Sequence, residues 1–122
     1  HGGIGPSIKS LEDIEKIDRI KTSEMEEGPL CELLWSDPIT PEEHRDLSRE
    51  DIENFDFKNN HVRGCGYYYG KVSASRFVDE NNLSSIVRAH EVQQYGYTEH
   101  RFGDFKRDHP PTISLFSAPN YC

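Results

Sequence analysis

Apolar residues recur along this chain at two spacings, and the two spacings predict different elements. A three-residue spacing runs through residues 11–20, and its members are Leu11, Ile14, Ile17 and Ile20. Ser10 precedes this stripe as an N-cap and Asp13 stands at the capping-box position, so we expect a helix over residues 11–20 whose stripe packs on the core. A second helix is predicted over residues 71–81, where four apolar residues precede an Asn-Asn stop.

The shorter spacing predicts strands. Residues 112–116 alternate polar and apolar side chains, which is typical of a strand with one buried face. Ile86 and Val87 form a β-branched pair that predicts a short buried strand, and residues 67–69 predict another after a glycine-bracketed turn. The strand at Ile86 runs into Arg88-Ala89-His90-Glu91, so its carboxyl end would deliver an imidazole and a carboxylate into a crevice.

An acidic segment separates these elements. Residues 42–56 hold seven acidic residues against two arginines, in a chain whose net charge is −8. Such a run is typical of a solvated surface, so we interpret residues 39–61 as an acidic insert that carries short helical turns. No basic stripe is available for a phosphate backbone, which argues against nucleic acid as a partner. A phosphorylated substrate remains compatible with the charge, because bound metal ions supply positive charge locally.

Length and cysteine content bound the class of protein. The chain has 122 residues, enough for one small domain, and it begins with His-Gly-Gly and ends directly after Pro-Asn-Tyr, so we expect a fragment of a longer protein. Three widely spaced cysteines without a C-x-x-C predict reduced thiols and a cytoplasmic or nuclear location. No apolar run is long enough to span a membrane, so no membrane association is predicted.

Local motifs do not identify an active site. His90-Glu91 lacks the second histidine of the zinc-protease motif, Gly64-x-Gly66 lacks the third glycine of a dinucleotide fingerprint, and no Walker loop is present. The six histidines show no local metal spacing, so any metal site has to be assembled from distant parts of the chain. Taken by itself, His90 is more simply interpreted as a histidine that is hydrogen-bonded at a strand end.

Five short segments, taken in order, carry a more specific signal. They are His1-Gly2-Gly3, residues 30–38, Val62-Arg63-Gly64, Arg88-Ala89-His90 and residues 117–121. Together they closely resemble the C-terminal half of the catalytic domain of the PPP family of serine/threonine protein phosphatases. Residues 28–31 and 62–69 look most like calcineurin, the calcium- and calmodulin-regulated member. The ending Asn120-Tyr121-Cys122 is more similar to the type-1 and type-2A enzymes.

The resemblance implies a fold and a set of site residues. The fold would be α+β, part of a four-layer αββα metallophosphoesterase sandwich with mixed β-sheets, and residues 1–122 would be the C-terminal half of a single catalytic domain. His1 and His90 match the histidines that bind one of two active-site metals. Arg63 matches an arginine that binds the substrate phosphate. Tyr121 and Cys122 match a loop that contacts substrates and inhibitors.

Two further residues match a structural motif of the same family. Trp35 and Asp37 belong to the segment Leu33-Leu34-Trp35-Ser36-Asp37-Pro38, which lies near the substrate groove in the family. For both side chains we interpret packing as the simpler role.

The resemblance also implies the parent's activity and partners. The parent would hydrolyse phosphoserine and phosphothreonine in proteins with a metal-activated water, using two metal ions of the Fe, Zn or Mn class. Phosphoprotein substrates would be its partners, and a regulatory subunit and calmodulin would be added if the parent is calcineurin-like. The family motifs G-D-x-H-G, G-D-x-x-D-R-G and G-N-H-E are absent from these residues, so the general acid is expected upstream and residues 1–122 are expected to be inactive alone. The alternatives are a catalytically dead interaction module, a truncated phosphatase relative, and a metallophosphoesterase that acts on small phosphoesters.

Overall fold

Helices and strands alternate without a simple repeat. Within residues 1–23 and 26–121, which the computed structural model describes, the chain forms α1 (Leu11–Glu15), α2 (Pro29–Trp35), β1 (Asp37–Pro38), α3 (Arg49–Glu53), β2 (Phe57–Asn59), β3 (Tyr67–Tyr69), α4 (Lys71–Glu80), β4 (Ile86–Arg88), β5 (Tyr97–His100) and β6 (Thr112–Leu115).

The strands form two small sheets, and each sheet mixes parallel with antiparallel pairing. The first has the order β1-β3-β2, with β1 parallel and β2 antiparallel to β3. The second has the order β4-β6-β5, with β4 parallel and β5 antiparallel to β6. The predicted α+β class with mixed sheets is confirmed.

The core lies where β3 and α4 meet the N-terminal loop. Tyr69 is fully buried, and its phenol donates a hydrogen bond to the Gly2 carbonyl at 3.4 Å. A Cβ on Gly3 would collide with the same ring, so the sequence needs glycine there for the backbone to pass over Tyr69. Ala74 and Phe77 of α4 complete this part of the core.

The N-terminal helix is shorter and less buried than its stripe predicts. The Ser10 capping box is present, but α1 ends at Glu15, and only Ile17 of the four apolar residues packs against the core. Leu11 and Ile14 lie on α1 and are exposed, whereas Ile17 and Ile20 follow the end of the helix and are not held on its face. The prediction that the whole stripe packs on the core is therefore wrong.

The acidic insert is only partly a solvated surface. It contains α3, a short helical turn as predicted, with a capping box between Ser48 and Asp51, but it also contributes β2 to the first sheet. The hydroxyl of Ser73 in α4 donates to the Asp56 carbonyl at 2.7 Å and ties the insert to the core. One side of a cleft of about 690 Å³ is lined by the insert, and residues 98–103 line the other. The charged stretch 98–111 begins as the end of β5.

The strand β4 has the opposite burial to the one predicted from its apolar residues. Val87 is exposed, whereas Arg88 is buried. Side chains alternate between the two faces of a strand, so Ile86 and Arg88 share the inner face and Val87 faces outward. The described residues contain no helix that is long and apolar enough to cross a membrane.

Candidate functional site

Two histidines from distant parts of the sequence meet beside the second sheet. His1 Nε2 lies 2.8 Å from His90 Nδ1, although the residues are 89 positions apart. The His1 carbonyl accepts a hydrogen bond from the Ala89 amide at 2.9 Å, which anchors the N-terminal loop to the end of β4. His90 itself has a φ of +68°, a conformation that non-glycine residues adopt rarely and mostly where the surroundings enforce it. The predicted approach of the two imidazoles is therefore present.

The surroundings of His90 favour an uncharged imidazole. Burial, and then the nearby Arg63 guanidinium, lower the pKa of His90 below its ordinary value. The Trp35 ring meets the His90 ring edge-on, with centroids 5.2 Å apart. Within the described residues, His90 Nε2 is buried without a hydrogen-bond partner. Because its pKa is lowered, the His90 imidazole favours the neutral form, in which the Nδ1 atom that faces His1 could coordinate a metal ion.

The histidine pair fits part of a metal site. Two nitrogen atoms that are each about 2 Å from one ion lie about 3 Å apart, and the separation of His1 Nε2 and His90 Nδ1 is 2.8 Å. Among the residues that the structure describes, no group of three or more His, Cys, Asp or Glu side chains converges to hold an ion. The two imidazoles by themselves are fewer than the ligands that a complete metal site needs.

Arg63 is held close to this pair by a buried carboxylate. Its Nε and Nη2 atoms donate to Asp37 at 2.9 and 3.3 Å, and the Asn60 amide donates to the same carboxylate at 2.8 Å. Burial alone would raise the pKa of Asp37, but the hydrogen bonds from Arg63 and Asn60 hold it below its usual value. The hydrogen bond to Asp37 likewise raises the pKa of Arg63.

Behind Asp37 lies a second arginine that sequence reasoning did not assign to the site. Arg88 donates to Asp37 Oδ1 at 2.7 Å and to Glu91 Oε2 at 2.6 Å. Asp37 is thus not simply a packing residue, because it accepts hydrogen bonds from two guanidinium groups. The signal in the sequence was the charged residue inside an otherwise apolar strand, since a charge at such a position is rarely buried unless it is paired.

The C-terminal loop carries Tyr121, which was predicted to contact substrates and inhibitors. Tyr121 is exposed, and its ring packs edge-on against Phe116 with centroids 5.1 Å apart. Cys122 lies outside the described residues. The structure therefore brings His1, His90 and Arg63 together and leaves the role predicted for Tyr121 without a contact to them.

Two of the cysteines lie closer together than the sequence predicts. The structure brings the sulfur atoms of Cys31 of α2 and Cys65 together, with the two Cα atoms 6.7 Å apart. Reduced thiols were predicted from the odd number and wide spacing of the cysteines, and that spacing did not predict this proximity. Sequence spacing does not reveal that α2 packs beside the loop that carries Arg63, and this neighbourhood is what brings the two sulfur atoms together.

Comparison with known proteins identifies the relatives of this site. Residues 1–94 match the family described as calcineurin-like phosphoesterase. The Saccharomyces cerevisiae serine/threonine-protein phosphatase 2B catalytic subunit A1 is 39% identical over 122 residues, which is 99% of this chain and 22% of the relative. The serine/threonine-protein phosphatase 4 catalytic subunit of the same yeast is 34% identical and is matched over 100% of this chain and 32% of its own length.

A solved structure has the same fold. It is a protein serine/threonine phosphatase from Saccharomyces cerevisiae with similarity to human phosphatase PP5. The TM-score is 0.71 at 30% sequence identity, and the match covers 100% of this chain and 31% of that one. The chain thus spans between 22% and 32% of the length of these relatives.

Proposed function

Because the chain belongs to the calcineurin-like phosphoesterase family, we propose that residues 1–122 form the C-terminal half of the catalytic domain of a metal-dependent serine/threonine protein phosphatase. One observation carries the proposal: His1 and His90, 89 positions apart in sequence, meet at 2.8 Å beside an arginine held by a buried carboxylate. Named serine/threonine phosphatases among the relatives support the same reaction class.

Each of the three side chains has a role in this proposal. His1 and His90 hold one of two metal ions of the Fe, Zn or Mn class, and the second ion is bound by residues upstream of these. When bound, the ions neutralise phosphate charge and supply an activated water. Arg63 binds the phosphate, because its planar guanidinium offers paired donors to two oxygens. Asp37 keeps the Arg63 guanidinium oriented.

The partners and location follow from the reaction class. The substrates are phosphoproteins, and the 39% identity to a phosphatase 2B subunit supports a regulatory subunit and calmodulin as further partners. Tyr121 and Cys122 belong to a loop that contacts substrates and inhibitors. A protein of this kind acts in the cytoplasm or the nucleus. Residues 1–122 alone are inactive in this proposal, because the general acid and the remaining metal ligands lie upstream.

The test uses the full-length protein and phosphoserine peptides. Phosphate release is expected after loading with Mn²⁺, its loss after treatment with a chelator, and its recovery when Mn²⁺ is returned. A small phosphodiester is the matched control substrate and is expected to be hydrolysed much more slowly. A protein that binds phosphopeptide without releasing phosphate would instead be an inactive interaction module.

A further inference from the structure

The Arg88 guanidinium uses every donor it has while almost completely buried. Its side chain is 1% exposed. It donates to five acceptors: the carbonyl of Gly2 at 2.6 Å, Glu91 Oε2 at 2.6 Å, Ser114 Oγ at 3.1 Å, Asp37 Oδ1 at 2.7 Å and the carbonyl of Ser36 at 3.3 Å. A guanidinium has five N–H groups, so the hydrogen-bonding capacity of Arg88 is filled.

Three of these acceptors are direct neighbours of the candidate site residues. Gly2 follows His1 in the chain, and Glu91 follows His90. Asp37 is the carboxylate that holds Arg63 through Nε at 2.9 Å. Each side chain of the site is therefore one covalent or hydrogen-bonded step from a residue that Arg88 binds.

Lysine could not replace this arginine. Gly2, Glu91 and Asp37 receive bonds from three different nitrogen atoms of the planar group. A lysine ammonium has three donors on a single nitrogen, so it could satisfy one or two of these acceptors but not all of them. Arg88 and Arg63 are also balanced in charge by Asp37 and Glu91, and the arrangement buries charge only in paired form.

We infer that Arg88 is a positioning residue that fixes the distance between the histidine pair and the phosphate-binding Arg63. The inference rests on the proposed function, since it concerns the same site. A phosphate that bridges a metal ion and a guanidinium requires both at a set separation, and losses of geometry near 1 Å are costly. Arg88 sets the separation between the histidine pair and Arg63 from behind the site, and it does not contact the substrate.

The experiment compares Arg88→Lys with Arg76→Lys in the full-length protein. Arg76 forms an exposed pair with Asp56 at 2.8 Å, away from the site, and is the matched control. Mn²⁺ affinity of the metal-free protein is measured by calorimetry, and inhibition by inorganic phosphate is measured with a phosphopeptide substrate. For Arg88→Lys we expect both affinities to weaken by about tenfold or more, as is typical when a residue that orients metal ligands is lost. Arg76→Lys is expected to leave both unchanged.

A second variant covers the case in which Arg88→Lys does not fold. Glu91→Gln leaves the guanidinium in place and loosens only the link beside His90, so Mn²⁺ affinity should fall while inhibition by phosphate stays constant. If Arg88→Lys lowers the melting temperature but changes neither affinity, or if Glu91→Gln leaves Mn²⁺ affinity unchanged, Arg88 has only a structural role. A wild-type protein that binds neither Mn²⁺ nor phosphate would instead remove the proposed function.

Discussion

Arginine–carboxylate pairs occur both behind the candidate site and on the outer surface, and only their surroundings differ. The Arg88–Asp37 pair has side chains that are 1% and 4% exposed. On α3, the Arg49–Glu53 pair has side chains that are 94% and 50% exposed. The first pair holds two parts of the chain that are 51 positions apart, whereas the second joins residues on adjacent turns of one helix.

The comparison shows that the types of the two residues do not by themselves determine how much an ion pair contributes to stability. Exposed pairs contribute about 0–1 kcal/mol to stability, because water and salt screen them. Removing one partner of a buried pair costs about 3–5 kcal/mol, because the remaining charge stays buried without compensation. The network around Asp37 should therefore be sensitive to substitution, and the pairs on the surface should not.

The largest effect is expected from Asp37→Ala. Two guanidinium groups, Arg63 and Arg88, lose their shared carboxylate, so the free energy of unfolding of the full-length protein should fall by about 3–5 kcal/mol. Urea denaturation measures the change. Asp56→Ala removes the carboxylate of the exposed pair with Arg76 and should cost less than about 1 kcal/mol. Equal losses in the two variants would show that burial does not distinguish the pairs.

The next effect concerns catalysis rather than stability. Arg63→Ala should lower kcat/KM on a phosphopeptide by roughly 100- to 1,000-fold, the scale seen when one charge-stabilising donor is removed from an active site. Metal content should stay at the wild-type level, as determined by elemental analysis. Arg49→Ala is the control on the surface helix and should keep full activity. An active Arg63→Ala variant would exclude Arg63 from phosphate binding.

The buried network should also respond to pH through His100. Its Nε2 lies 2.7 Å from Ser114 Oγ, which also accepts a bond from Arg88. Burial and then Arg88 lower the pKa of His100 to about 4. The unfolded chain binds this proton more readily, so stability is complete above about pH 6.5 and decreases by about 3 kcal/mol as the pH falls towards 4.

The variant that checks this is His100→Gln, which keeps a polar group beside Ser114 but does not titrate. Urea denaturation of the full-length protein at a series of pH values should show a shallower decline between pH 6.5 and 4 in His100→Gln than in the wild type. Parallel curves for the two proteins would show that His100 is not the source of the acid sensitivity.

The smallest expected effect separates a metal ligand from a core histidine at position 90. As a ligand, His90→Ala should weaken Mn²⁺ affinity by about tenfold or more and lower activity with it. As a satisfied core residue, it should reduce stability by about 1–3 kcal/mol and leave metal content unchanged. Calorimetric titration with Mn²⁺ and thermal melting, performed on the same preparation, distinguish the two roles. Full metal stoichiometry and activity in His90→Ala would rule out the ligand role.

Local signals predicted the elements that depend on local interactions. The Ser10 capping box, the long helix α4 and the alternating strand β6 all follow from residues within a few positions of one another. The strands β1 and β2 were missed because they have two and three residues and no apolar alternation. Their existence depends on pairing with β3, which sequence periodicity does not report.

Prediction of the site residues shows the same contrast between what the sequence indicates and what depends on long-range pairing. His1, His90 and Arg63 were predicted from resemblance to a family, and the structure brings them together. The sequence shows Asp37 and Arg88 as charged residues, but it does not predict that they pair across 51 positions. A buried charge is understood only when its partner is known, and the partner is a property of the fold.

The phenol of Tyr69 gives this fold an internal optical reporter. Burial raises the pKa of Tyr69 above its ordinary value, and its ring lies under the Gly2-Gly3 backbone that leads from His1. In an alkaline titration followed by ultraviolet absorbance, this one of the six tyrosines should ionise only when its ring becomes exposed to solvent. The kinetics of that absorbance change therefore measure how often the core beneath the Gly2-Gly3 backbone opens.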